Sequence, residues 1–125
     1  MKMISLEVLM YIHNQTISKH GGKEGVNNMS LIERALETPF LTFAGEDLNK
    51  TIEDKISALT YSLINNHGFR DGNKRVGTIV MGVLCKMNKI NLKFSQAELI
   101  EFGLNVANGS FSKDDVKQWI LSHSI

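Results

Sequence analysis

The 125-residue chain is 42% hydrophobic and 22% charged, with a formal net charge of +1. That length suits one domain, residues 1–125, with a single core; the composition excludes wholesale disorder and fibrous repeats, and the charge gives no general footprint for nucleic acid or anionic lipid. One cysteine, Cys85, excludes an internal disulfide framework, and no apolar run nears the roughly 20 residues that span a bilayer. The start lacks a signal-peptide core, so a cytoplasmic protein is expected, without a membrane and without direct nucleic-acid binding.

Ser5 is placed to cap a first helix through Leu6, Leu9, Ile12 and Ile17, ending at Gly21-Gly22. His13 and His20, seven apart, read as surface or partly buried histidines, because no carboxylate or cysteine joins them at ligand spacing. Ser30 with Glu33 predicts a capping box opening a short helix from Leu31 to about Thr38, with Pro39 at its end. Between Phe40 and Asn49 no helical period holds. That stretch reads as a connector folding its aromatics into the core, with a flap beside a site as the other reading.

Thr51 with Asp54 predicts a cap, followed by one apolar stripe at Ile52, Ile56, Leu59 and Leu63. This helix should stop near Asn66 or His67. A second long helix should start at about Asn73, its side chain capping, with Val76, Ile79, Val80, Val83, Leu84 and Met87 on one face. Cys85 lies inside it and reads as inert. Ser95 with Glu98 and Ser112 with Asp115 open further helices over about 96–107 and 113–122. The architecture expected is all-α, a compact bundle of about six helices with a polar loop between the two long central ones.

That loop, His67-Gly68-Phe69-Arg70-Asp71-Gly72-Asn73-Lys74-Arg75, is the chemically dense part of the chain. A helix N-terminus preceded by glycine is an anion site, and Lys74 and Arg75 add positive charge there. Asp71 is suited to a Mg²⁺ that bridges phosphates. His67 is the one group able to accept a proton near neutral pH without a large shift, and Phe69 should plug the core. The same residues also fit a helix–turn–helix corner with no chemistry. Residue types alone leave both readings open.

The whole string resembles the Fic/Doc family, whose pattern is His-x-Phe-x-Asp/Glu-Gly-Asn-(Gly/Lys)-Arg; here every fixed position is filled. The N-terminal helix, the Gly21-Gly22-x-x-Gly25 loop and the small size resemble its death-on-curing (Doc) branch. The resemblance implies His67 as the base for a target hydroxyl and Asp71 as the Mg²⁺ ligand. Gly72, Asn73, Lys74 and Arg75 would contact nucleotide phosphate, and Phe69 would be structural. AMP-transferring members usually carry Gly after the Asn and a second Arg three residues past the first; this chain has Lys74 and Thr78. The resemblance therefore implies a toxin that uses Mg²⁺ and ATP to phosphorylate a protein hydroxyl, a threonine of elongation factor Tu, and so inhibits translation. AMP transfer is the alternative, and a non-catalytic binding module a further one. No Ser/Thr-x-x-x-Glu-Gly/Asn inhibitory string is found, since His20 stands four before Glu24. A separate antitoxin with a disordered, Phd-like tail is implied as partner.

Overall fold

A computed structural model describes residues 1–125, with six α-helices as the framework. Helix α1 (Leu6–His20) begins where the Ser5 side chain accepts from Val8 N–H and ends at Gly21, φ 80°. Three later helices open with complete capping boxes: α3 (Ile52–Asn65) at Thr51/Asp54, α5 (Gln96–Ala107) at Ser95/Glu98, and α6 (Lys113–His123) at Ser112/Asp115. In each, the cap hydroxyl accepts an N–H and the acid returns to the cap backbone, satisfying two otherwise unpaired donors. Helix α2 (Met29–Glu37) corrects the expected start. Its cap is Asn28, not Ser30, because Asn28 N–H donates to Gly68 C=O and holds the residue extended, with its side chain free to accept from Leu31 N–H. Ser30 falls inside the first turn.

Helices α3 and α4 (Asn73–Met87) form the central hairpin, and α3 also touches α2, α5 and α6. Their packing departs from the expected stripe. On α4 the buried residues are Val76, Gly77, Thr78, Val80, Met81, Leu84 and Cys85, while Ile79, Val83 and Met87 are only half-buried. The cause is Gly77: a Cβ there would collide with Ile64, so α3 approaches over Gly77 and the buried face turns toward Met81 and Cys85. Ile56, Leu59, Leu63 and Ile64 meet this face, and Phe102, Val106, Val116 and Ile120 from α5 and α6 complete the core. Burial pushes the Cys85 thiol up to about 12, which leaves it inert at neutral pH.

The stretch after α2 is the second correction. A single 3₁₀ turn, Thr38–Phe40, leads into a two-stranded hairpin of β1 (Thr42–Phe43) and β2 (Glu46–Asp47), paired Thr42 with Asp47 and Phe43 with Glu46. Ala44 and Gly45 at its tip have φ 52° and 82°, the mirror-image turn that matches strand twist. Its apolar residues do not fold into the core: Phe43 is 74% exposed, and Phe40, Leu41 and Leu48 are also exposed. Only the base is fixed. Buried Asn49 donates to Thr38 C=O (2.8 Å) and accepts from Lys113 Nζ (2.9 Å), and Lys55 Nζ donates to the carbonyls of Asn49 and Pro39. No helix is long and apolar enough to cross a membrane.

Candidate active site

The loop between α3 and α4 is held by the segment that follows α1. Asn66 ends α3; its side chain donates to Leu31 C=O (2.9 Å) and accepts from Gly68 N–H (3.0 Å). Gly68 lies against α2, where a Cβ would come 2.6 Å from Ile32 Cγ1, so no other residue fits without displacement. Its carbonyl accepts from the N–H groups of Asn27 (2.8 Å) and Asn28 (3.0 Å). Val26 and Phe69 form an antiparallel bridge, and Arg70 N–H donates to Gly25 C=O (3.1 Å). Phe69 is 1% exposed and stacks on His13, ring centroids 3.9 Å apart and planes within 8°. The loop is therefore anchored as firmly as a strand, with its polar side chains outward.

Asn73 closes the loop in a way the sequence reading did not foresee. It is the first residue of α4, and its side chain does not cap the helix. Instead Oδ1 accepts from Phe69 N–H (3.1 Å) and Nδ2 donates to Phe69 C=O (3.0 Å). The residue before it, Gly72, takes the left-handed conformation (φ 79°), and α4 has no side-chain cap. Since Val76 N–H makes the first bond, to Gly72 C=O, the N–H groups of Asn73, Lys74 and Arg75 have no intrahelical partner. What Asn73 offers outward is thus its backbone.

His67 is exposed at the start of the loop, with φ 55°, and its ring makes no hydrogen bond within the chain. Arg70, Lys74 and Arg75 are exposed, and none takes part in any of the protein's four ion pairs. Asp71 Oδ2 accepts from Lys23 N–H (3.1 Å) and Oδ1 from Gly72 N–H (2.9 Å). These two backbone bonds, Lys23's first, hold its carboxyl below the usual carboxylate range. Nowhere does the chain gather three His, Cys, Asp or Glu side chains at metal-binding distance. A lone ionised carboxylate with free lone pairs fits a divalent cation that arrives with phosphate oxygens, not a resident caged metal.

Beside this loop a cleft of about 380 Å³ runs between α4 and α5, lined by Lys74, Arg75, Thr78 and Gly103 among others. Gly103 permits the approach, since the Lys74 stem lies 3.1 Å from where its Cβ would be. Thr78 is turned inward, its hydroxyl donating to Arg75 C=O (2.9 Å). The structure thus brings His67, Asp71, Gly72, Lys74 and Arg75 to one end of the α3–α4 hairpin. The sequence reading missed the residues that hold them. His13 read as a surface or partly buried histidine but is fully buried, and Gly22, Lys23 and Gly25 were visible only as a glycine-rich loop.

The sequence model of the Fic/DOC family matches residues 3–85. Toxin Doc of Mycolicibacterium smegmatis (strain ATCC 700084 / mc(2)155) is 33% identical over 72 residues, which span 58% of this chain and 55% of that protein. Protein kinase doc of Escherichia phage P1 is 26% identical over 116 residues, 93% of this chain and 90% of that protein.

Proposed function

The chain belongs to the Fic/DOC family, and from that premise we propose that it is a Doc-like toxin that moves the γ-phosphate of ATP onto a protein hydroxyl. By resemblance the acceptor is a threonine of elongation factor Tu, and the consequence is inhibited translation in the cytoplasm. The observation that carries the reading is the pairing of an unbonded His67 ring with an uncapped α4 N-terminus flanked by three unpaired cations. Phosphoryl transfer asks mainly for positioning and charge neutralisation, and these groups supply both.

In this reading His67 accepts the proton of the target hydroxyl. The backbone N–H groups of Asn73, Lys74 and Arg75, with the Lys74 and Arg75 side chains, take the phosphate oxygens. Gly72 makes the left-handed turn into that helix start, where Ile17 and His13 leave little room for a side chain. Asp71 holds the Mg²⁺, which when bound neutralises charge on the transferring group. Lys74 and the inward Thr78, in place of Gly and a second Arg, favour phosphate over AMP transfer. With no inhibitory string in the chain, a separate antitoxin with a disordered tail is the partner inferred.

The test is a mass measurement on elongation factor Tu after incubation with the protein and Mg²⁺-ATP, beside a His67→Ala control. A gain of one phosphate, absent in the control, is the expected result. A gain of one AMP would replace kinase with nucleotidyl transfer at the same site. No gain, by protein whose melting temperature ATP raises, would remove this target and leave another acceptor or a binding module.

A further inference from the structure

We propose that His13 is a positioning residue for this site: its Nε2–H holds the Asp71 carbonyl and thereby aims the Asp71 carboxylate at the bound divalent cation. The inference rests on the proposed role of Asp71 but on different atoms, and it starts from an anomaly in the core. His13 is 1% exposed and its Nε2 is 3.0 Å from Asp71 O, 58 positions along the chain. A carbonyl oxygen only accepts, so Nε2 carries the hydrogen. Nδ1 is then left without a partner, and it is the one buried side-chain nitrogen or oxygen in the protein in that position. An unpartnered buried polar atom costs stability, and an apolar side chain would avoid the loss. Such a local conflict in an otherwise satisfied core points to a site requirement.

The geometry says what the requirement is. Stacking on Phe69 fixes the ring plane, and the ring edge lies against Gly72, with Cδ2 3.9 Å from where a Cβ would be. Asp71 is thus held at three points. His13 takes its carbonyl, Lys23 N–H takes Oδ2 and Gly72 N–H takes Oδ1. Two of the three holds come from α1 and the loop that ends it. Gly22, with φ 118°, makes the approach possible, because a Cβ there would stand 2.8 Å from Asp71 Oδ2. With carbonyl and both carboxylate oxygens engaged, the carboxylate is fixed in orientation while each of its oxygens keeps lone-pair capacity for a cation. Groups that orient a metal ligand typically govern metal affinity about tenfold to a hundredfold.

Two variants separate the donor from the ring. His13→Gln keeps an N–H able to reach Asp71 C=O and loses the ring; His13→Phe keeps the stacking and loses the donor. Amide exchange at Lys23 and Gly72, read by NMR on the labelled full-length chain, needs no nucleotide. The Mg²⁺ concentration giving half of the ATP-dependent rise in melting temperature reads the cation directly. The expected result is that His13→Phe speeds exchange at those two amides about tenfold and raises the Mg²⁺ midpoint about tenfold, with α3 and α6 amides unchanged. His13→Gln should stay close to wild type in both. The reverse pattern, with Phe harmless and Gln damaging, would make His13 a packing ring and overturn the proposal. Should His13→Phe fail to fold, His13→Gln decides alone: kept protection supports the donor role and lost protection overturns it. Absence of any ATP-dependent rise in the wild type would count against the kinase reading, while the amide exchange would still decide the role of His13.

Discussion

At the residue scale, His67 combines a strained backbone with an unemployed side chain. Its φ of 55° is unfavourable for a residue with a Cβ, and the surrounding bonds to Asn27, Asn28 and Gly25 enforce it. Because the residue is exposed and its ring makes no hydrogen bond or ion pair within the chain, His67→Ala should leave stability within about 0.5 kcal/mol of wild type. Transfer should fall about a hundredfold to ten-thousandfold, the usual worth of a general base. Urea unfolding and the mass assay check the two halves, and a large loss of stability would refute the separation. The placement of His67, Asp71, Lys74 and Arg75 together at one end of the α3–α4 hairpin was legible in the sequence, because their segment falls between two long periodic stretches. His13 was not: a histidine on a helix looks the same whether buried or exposed, and its partner is far away in sequence.

At the scale of elements, the two glycines of α4 make opposite predictions. Gly77→Ala places a methyl into Ile64 and should destabilise by about 1–3 kcal/mol. At Gly82 nothing lies within 4 Å of a Cβ, so Gly82→Ala should stabilise by roughly 0.5–1 kcal/mol through helix propensity. Denaturant midpoints distinguish them, and equal effects would refute the rotated packing face. The caps of α3, α5 and α6 were readable because a capping box is local. The start of α2 was not, since Asn28 wins over Ser30 through a bond to Gly68. Nor was the hairpin: Phe40, Leu41 and Phe43 have core composition, but the part-buried side-chain bonds of Asn49, Lys55 and Lys113 hold only its base.

At the scale of the whole molecule, three carboxylates tie distant parts together in their ionised form. Asp54 bonds Lys117 across α3 and α6 at 3.0 Å; its burial opposes ionisation, but bonds from Lys117 and Thr51 outweigh that and lower its titration. Glu98 is lowered by Ser95 N–H first and then by His123, and Asp71 by Lys23 and Gly72. Each titrates lower folded than unfolded, so its contribution is present above its usual value, 3.8 for Asp and 4.5 for Glu, and is lost as pH falls through the folded value. Lys117 is raised by Asp54, so its share is full below its usual 10.5 and is lost as pH rises through the folded value. The melting temperature should therefore form a plateau from about pH 5 to about pH 9, above which the buried Cys85 thiol, held up to about 12 when folded against its usual 9.0, favours the unfolded chain. A maximum below pH 4 would contradict these pairings. The all-α class was legible from periodicity alone, whereas the joining of residues 25–28 to residues 68–70 was not. That joining has a consequence for how long the site lasts. In the wild-type chain a loop bridged to a second segment and held by His13 should rarely open apart from the rest. The activity proposed for it should therefore survive until the molecule melts and vanish with it. Activity lost on heating should trace the same curve as lost helicity, with no inactive folded stage between.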